Sequence, residues 1–233
     1  MGFIDDIKED QKMQIQALCI VFFLLAFPSY FFLKAAATDD PSGMGGVGTY
    51  TVTPDFSEIE FASGEELIQD GTPLTLELNT DSVDAAGKNI VGVLVTMSYG
   101  EDEADGDGAG CGFGVAPPQS APDSISGMAS HLNYSNSAEG QNQGGSGSHD
   151  VSTVWYNSSV IGDKIEGLSE SQINDELSKG IGLGDYSIEI SVNANAGSRP
   201  GCQNSDSGET VTYTVKLIVL DYEITPYIEI EDI

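Results

Sequence analysis

Residues 90–99, IVGVLVTMSY, decide the fold. The run is almost continuously apolar, rich in β-branched residues and of strand length, so it reads as the central, buried strand of a sheet. On its N-terminal side Leu74-Thr75-Leu76-Glu77-Leu78 alternates cleanly and reads as a strand with one face on a core. Tyr50-Thr51-Val52-Thr53 reads as a first strand, stopped at Pro54. On the C-terminal side Val151–Tyr156 (VSTVWY), Ser187–Val192 and Thr210–Leu220 (TVTYTVKLIVL) repeat the period-2 pattern. Ser169 to Gly180 interrupts them with a possible N-cap at one end, a glycine stop at the other, and Leu168, Ile173 and Leu177 as a partial apolar stripe, which predicts a short surface helix. The tail Tyr227–Ile233 alternates again after Pro226 and reads as a terminal edge strand or as a strand offered to a partner. Residues 100–149, dominated by Gly, Ser, Asn and acids, read as one long loop. The expected fold is therefore mainly β, an antiparallel sandwich with one short helix, occupying residues 49–233.

Upstream of the strands the chain changes character. Residues 15–33, IQALCIVFFLLAFPSYFFL, are apolar and uncharged, with Lys12 and Lys34 outside them. As an α-helix the run would reach roughly 28 Å, about the hydrocarbon thickness of a bilayer. It reads as a transmembrane signal-anchor over 15–34, preceded by an amphipathic lead-in at 1–14 and followed by a flexible spacer at 35–48. The N-terminus is expected in the cytoplasm and the C-terminal domain outside the cell membrane. Ala35-Ala36-Ala37 leaves cleavage by a signal peptidase open. A prepilin-type leader near Lys12 is a further alternative, although Met13 stands where a small residue is expected.

The 233 residues carry 37 acids against 8 basic residues, a formal charge of −29. Such a field repels phosphate backbones, which argues against nucleic acid as a partner. Of the three cysteines, Cys19 lies in the apolar run, leaving Cys111 and Cys202 for the extracytoplasmic domain. A disulfide between them would close a loop of about 90 residues and contribute about 3–4 kcal/mol. Asn133-Tyr134-Ser135 and Asn157-Ser158-Ser159 are glycosylation sequons, consistent with export.

The acidic run Glu101–Gly108 is the best cation candidate. Oxygen donors recur at Glu103, Asp105 and Asp107 with Gly108 next, as in the first half of a calcium loop. The closing bidentate Glu is replaced by Gly114. Calcium is the one cofactor these residues suggest. Catalytic frames are thin: His131 and His149 both fall in the long loop, with no G-x-S-x-G beside a triad and no Cys/His spacing for copper or zinc. They read as mobile loop histidines, and the chain as a non-enzyme.

Gly184-Asp185-Tyr186-Ser187-Ile188-Glu189-Ile190-Ser191-Val192 resembles the G-x-Y-x-V-x-V-x-V strand of immunoglobulin-like sandwiches of the PKD and fibronectin type III kind. The resemblance implies that Tyr186 begins the penultimate strand and that Thr210–Leu220 is the last. It also implies that strand 90–99 and the Tyr186 strand run antiparallel, so that Cys111 meets Cys202 only if residues 100–110 run back along the sandwich. The functional expectation is a membrane-anchored extracytoplasmic binding or structural module of the cell envelope. Its lipid contacts run through 15–33 and its protein partner is unassigned. Alternatives are an accessory subunit of a membrane complex, a calcium-binding or metal-dependent hydrolytic ectodomain, and a pilin-like filament subunit.

Overall fold

Two runs of alternating residues facing each other across a dry layer form a sandwich, and the computed structural model has that form. It describes residues 22–27, 29–30, 46–100, 122–142, 146–195 and 206–228. The expected calcium loop (Glu103, Asp105, Asp107) and both Cys111 and Cys202 lie outside the described residues. Residues 1–47 form a unit separate from 48–233. Of the apolar run, 22–27 and 29–30 are helical, with exposed Phe22, Phe23, Leu24, Leu25, Phe27 and Tyr30. Among the described residues no helix is long and apolar enough to cross a membrane.

The strands are β1 (Gly48–Gln69), β2 (Leu74–Asn79), β3 (Ile90–Gly100), β4 (Ser124–His131), β5 (Tyr134–Gln141), β6 (Ser146–Val154), β7 (Gly162–Leu168), β8 (Asp185–Asn193) and β9 (Gly208–Pro226), and the helix between β7 and β8 is α1 (Glu170–Leu177). They make a five-stranded sheet ordered β6-β3-β9-β1-β7 and a four-stranded sheet ordered β2-β8-β4-β5. Every paired neighbour is antiparallel.

The core follows from parity. Val93, Val95, Met97 and Tyr99 of β3 and Val211, Val215, Leu217 and Val219 of β9 point inward onto Ile188, Ile190 and Val192 of β8 and Ile125 and Ala129 of β4. The opposite parity of β9, Ile218, Leu220, Tyr222 and Ile224, faces a second, smaller core with Val52, Val91, Val160, Ile173 and Leu177. That second core is where α1 docks. Its start is as the sequence predicts: Ser169 is the N-cap, and its side chain and that of Gln172 form a reciprocal capping box. The Asn89 amide group donates to the Leu177 carbonyl at the helix end and to Leu220 of β9.

Three expectations fail. β1 does not stop at Pro54 but runs 22 residues, paired with β9 from Tyr50↔Pro226 to Gln69↔Gly208. Beyond Val52 the described partner of β1 lies on one side only, and an edge is where a strand tolerates a residue without an N–H. A bulge between Glu60 and Ala62 turns Phe61 into the core, against Tyr186.

The second failure is the long loop. Residues 124–131, 134–141 and 146–154 are strands β4, β5 and β6. Their inward positions include Ile125, Ala129 and Val151, while the other face needs only small polar residues, so overall polarity hid a period-2 pattern. The histidines are accordingly placed within strands: His131 is 2% exposed at the end of β4, and His149 lies within β6.

The third is strand order. In an immunoglobulin-like sandwich the last two strands neighbour each other in one sheet; here β8 and β9 lie in different sheets. Tyr186 nevertheless opens the penultimate strand, as the resemblance implies, and its hydroxyl donates to the Gly182 carbonyl at 2.7 Å. Trp155, which follows β6, is 3% exposed and donates from Nε1 to the Ile90 carbonyl at 3.0 Å.

Candidate functional site

Strand direction gives the sandwich two poles. At one, the end of β3 meets the start of β9 (Tyr99↔Val211) and the start of β4 meets the end of β8 (Ser124↔Asn193). The Tyr99 hydroxyl joins the two sheets there by donating to the Asp123 carbonyl at 2.5 Å. β3 and β8 therefore both end, and β4 and β9 both begin, at this pole, whereas the resemblance implies opposite ends for β3 and β8.

The same pole gathers Asp123, Asp206 and Glu209, one carboxylate oxygen of each lying within 4.8 Å of the others. Asp123 is 0% and Glu209 2% exposed. Asp123 Oδ1 accepts from the Asn195 amide at 2.6 Å, and Asp206 Oδ1 from the Gly208 amide at 3.0 Å. Oxygen donors in this arrangement suit a hard cation and equally a cationic side chain. Beside them Asn142 receives a role from each polar atom. Its amide donates to the Tyr99 hydroxyl, its Nδ2 to the Tyr99 carbonyl, and its Oδ1 faces His149 Nε2 at 3.0 Å. None of Asp123, Asp206 and Glu209 stood out in the sequence, because they are separated along the chain and meet only when the two sheets close.

The accessible surface with the most regular chemistry is the outer face of the four-stranded sheet. Period 2 sends Ile125 and Ala129, Ile188 and Ile190 inward, so Ser126, Met128 and Ser130 of β4 and Ser187, Glu189 and Ser191 of β8 must face outward. Register then fixes the lattice: Ser126 sits between Glu139 of β5 and Ser191, and Met128 between Ser137 and Glu189. The serines are mutually held, Ser126 Oγ lying 2.7 Å from Ser191 Oγ, Ser130 Oγ donating to the Ser187 carbonyl, and Ser187 Oγ to Glu77 Oε1 at 2.7 Å. A shallow depression of about 410 Å³ opens between them, lined by Ser126, Met128, Ser137, Glu139, Glu189 and Ser191. The four strands contain no Lys or Arg, so the polar groups of the face are hydroxyls, amides and carboxylates, with Met128 exposed among them.

Of the two sequons, Asn133 stands exposed in the two-residue turn between β4 and β5, beside Leu132 at φ 51°. Asn157 caps a 3-10 turn, its Oδ1 accepting from the Ser159 amide and hydroxyl at 3.1 and 2.7 Å.

No family model and no curated protein matches this chain. Among solved structures it is similar to TmCBM61 in complex with β-1,4-galactotriose, at 11% identity over 75% of this chain and 88% of that one, with a TM-score of 0.27. It is likewise similar to desmodium yellow mottle tymovirus, at 10% identity over 78% and 92%, with a TM-score of 0.27. What the chain itself displays is a mainly-β antiparallel sandwich of two sheets.

Proposed function

We propose that the chain is a membrane-anchored, extracytoplasmic, non-enzymatic binding or structural module of the cell envelope, and that the outer face of the β2-β8-β4-β5 sheet is its contact surface. The observation that carries this reading is the depression over Ser126, Met128, Ser137, Glu139, Glu189 and Ser191, rigidly framed by two central strands. With hydroxyls and carboxylates and no basic residue on its strands, it suits a partner rich in hydrogen-bond donors or positive charge. Support for a non-enzymatic role comes from the histidines: both nitrogens of His131 face backbone carbonyls and His149 Nε2 faces Asn142 Oδ1, so these atoms serve structure. Residues 15–33 supply the anchor, and the acidic surface keeps the domain soluble outside.

The test is recovery of crosslinked partners from solubilised membranes by the wild-type full chain and by a Glu139→Lys/Glu189→Lys variant. The two side chains lie on the outer face, so the variant is expected to melt within a few degrees of wild type and to lose its partners. Equal recovery by both proteins rejects this surface. Recovery of the chain from the soluble fraction alone rejects the anchor. A calcium titration separates the metal-dependent alternative, since a rise of several degrees in Tm would favour it and no rise is expected.

Export also assigns the remaining residues: Cys111 pairs with Cys202, and Asn133 is glycosylated in preference to Asn157. A non-reduced peptide map of the mature protein is expected to show a Cys111–Cys202 peptide and glycan on Asn133, with less on Asn157, which is half-buried where Asn133 is exposed. Free Cys111 and Cys202 thiols, or glycan on Asn157 alone, contradict these assignments.

A further inference from the structure

Open sheet edges invite further strands, and among the described residues most edges of this sandwich carry a guard. β1 has Pro54 and a bulge between Glu60 and Ala62 along its free side. β7 pairs with β1 through two register shifts and bears Gly162 and Gly167 at positive φ. β5 and β6 are held by one side chain: Asn136 Oδ1 accepts from the Ser137 amide at 3.0 Å, and its Nδ2 donates to the Ser152 carbonyl at 2.8 Å. β2 differs. Its sequence, LTLELN, has no proline, and its register with β8 is unbroken.

Ladder parity shows what β2 offers. The Thr80 amide donates to the Gly184 carbonyl at 3.1 Å, which continues the β2–β8 register by one pair. Antiparallel pairs alternate, and each residue sends its N–H and C=O to the same side. Leu74, Leu76 and Leu78 therefore bond to β8, while Thr75 and Glu77 turn both backbone groups to the open side. Asn79 turns only its amide there, because its carbonyl accepts from the Ser82 hydroxyl at 2.8 Å. The core beside this edge is incompletely covered: Leu74, Leu76 and Leu78 of β2 and Ile59 and Ala62 of β1 are half-buried. A cleft of about 250 Å³ opens at the start of β2, between Leu67 and Ile68 of β1 and Pro73 and Leu74. The charge here has one sign. β1, β2 and β8 contain no Lys, Arg or His, whereas Glu65, Glu66, Glu77 and Glu189 lie on them.

We propose that the free edge of β2 takes up an extended segment of another protein, in which apolar residues alternate with lysine or arginine, as a fifth strand of the β2-β8-β4-β5 sheet. The added strand bonds to Thr75 and Glu77 through its backbone. One row of its side chains covers Leu74, Leu76 and Leu78, and the other stands beside Thr75 and Glu77, where basic residues meet the acidic face. A second copy of this chain is a poor occupant, because each copy carries a formal charge of −29.

The test uses the full chain in detergent micelles and two synthetic peptides, one alternating valine with lysine and one alternating valine with glutamate. Residue-resolved amide hydrogen exchange is the readout. In the free chain Thr75 and Glu77 are expected to exchange fast, and Leu76 and Leu78 slowly. The lysine peptide should slow Thr75 and Glu77 by about tenfold or more, and the glutamate peptide should leave them unchanged. Thr75→Pro removes an edge-facing N–H without touching a bond to β8, so it should fold and lose the protection. Glu77→Lys keeps the backbone intact and should weaken binding of the lysine peptide about tenfold, which decides the matter even where the proline variant does not fold. Slow exchange of Thr75 and Glu77 before any peptide is added overturns the proposal. If constant, it means that this chain already covers the edge; if it grows with chain concentration, a second copy does. Equal effects of the two peptides, or none from either, overturn it as well.

Discussion

Replacing Tyr186 with alanine is expected to cost about 4 kcal/mol of stability, the range for removing a fully buried aromatic. The ring is 1% exposed, packs edge-on against Phe61 at 5.3 Å and stacks on His131, and its hydroxyl donates to the Gly182 carbonyl. Chemical denaturation of wild type and variant reads the loss directly; a cost below about 1 kcal/mol would mean the site collapses without a cavity. Tyr186→Phe isolates the hydroxyl and should cost about 1 kcal/mol. It also carries a pH signature. Burial raises the phenol of Tyr186 above its ordinary value, so the folded state holds that proton more tightly than the unfolded chain does. Stability from this group is full below about pH 10, where the unfolded tyrosine is still protonated, and falls as pH rises above it. Tyr222, also raised by burial, contributes a smaller slope of the same sign. Tyr186→Phe should therefore flatten most of the alkaline loss, and an unchanged alkaline profile would show that Tyr186 is not its source.

Gly208→Ala is expected to be the most damaging single-methyl change, at about 3 kcal/mol or more. Gly208 opens β9 at φ 132°, a conformation that L side chains rarely adopt. A Cβ there would fall on the Ile68 carbonyl and the Gln69 Cα, both backbone atoms of β1. Neither can rotate away, because Gln69↔Gly208 is the terminal rung of the β1–β9 ladder. Gly71→Ala is the control. It has positive φ of 69° but open space around the added methyl, so it should cost only about 1 kcal/mol. Equal losses in urea melts of the two variants would assign the effect to backbone conformation alone and remove the steric argument.

The strands legible in the sequence were those with a hydrophobic period. Leu74–Leu78, Ile90–Tyr99, Ser187–Val192 and Thr210–Leu220 all lie in strands close to where the alternation puts them. So does the helix, whose cap at Ser169 is a local hydrogen-bond pattern needing no tertiary partner. What escaped was β4 and β5. SISGMASH alternates, but two of its inward positions are Gly127 and Ala129, and a small residue facing a large one across the layer carries no hydropathy signal. A Cβ on Gly127 would meet the Met97 side chain at 2.5 Å, so the large partner sits on the other sheet, about thirty residues upstream. The candidate contact face was hidden for the same reason, since half of it lies on these strands.

By itself, the sequence determined the mainly-β class, the apolar run at 15–33, the acidic surface, the position of α1, and Tyr186 as a strand-opening tyrosine. These are set by period, charge and capping, which act over a few residues. Tertiary structure alone decided strand order, the extension of β1 through Pro54, the burial of His131, and the meeting of Asp123, Asp206 and Glu209. Each depends on which distant segments share a sheet or face one another across the layer. The central strand 90–99 illustrates the division. Its sequence made it buried, but only the closed sandwich set it between β6 and β9, and made its far end the pole where β8 also ends and β4 and β9 begin.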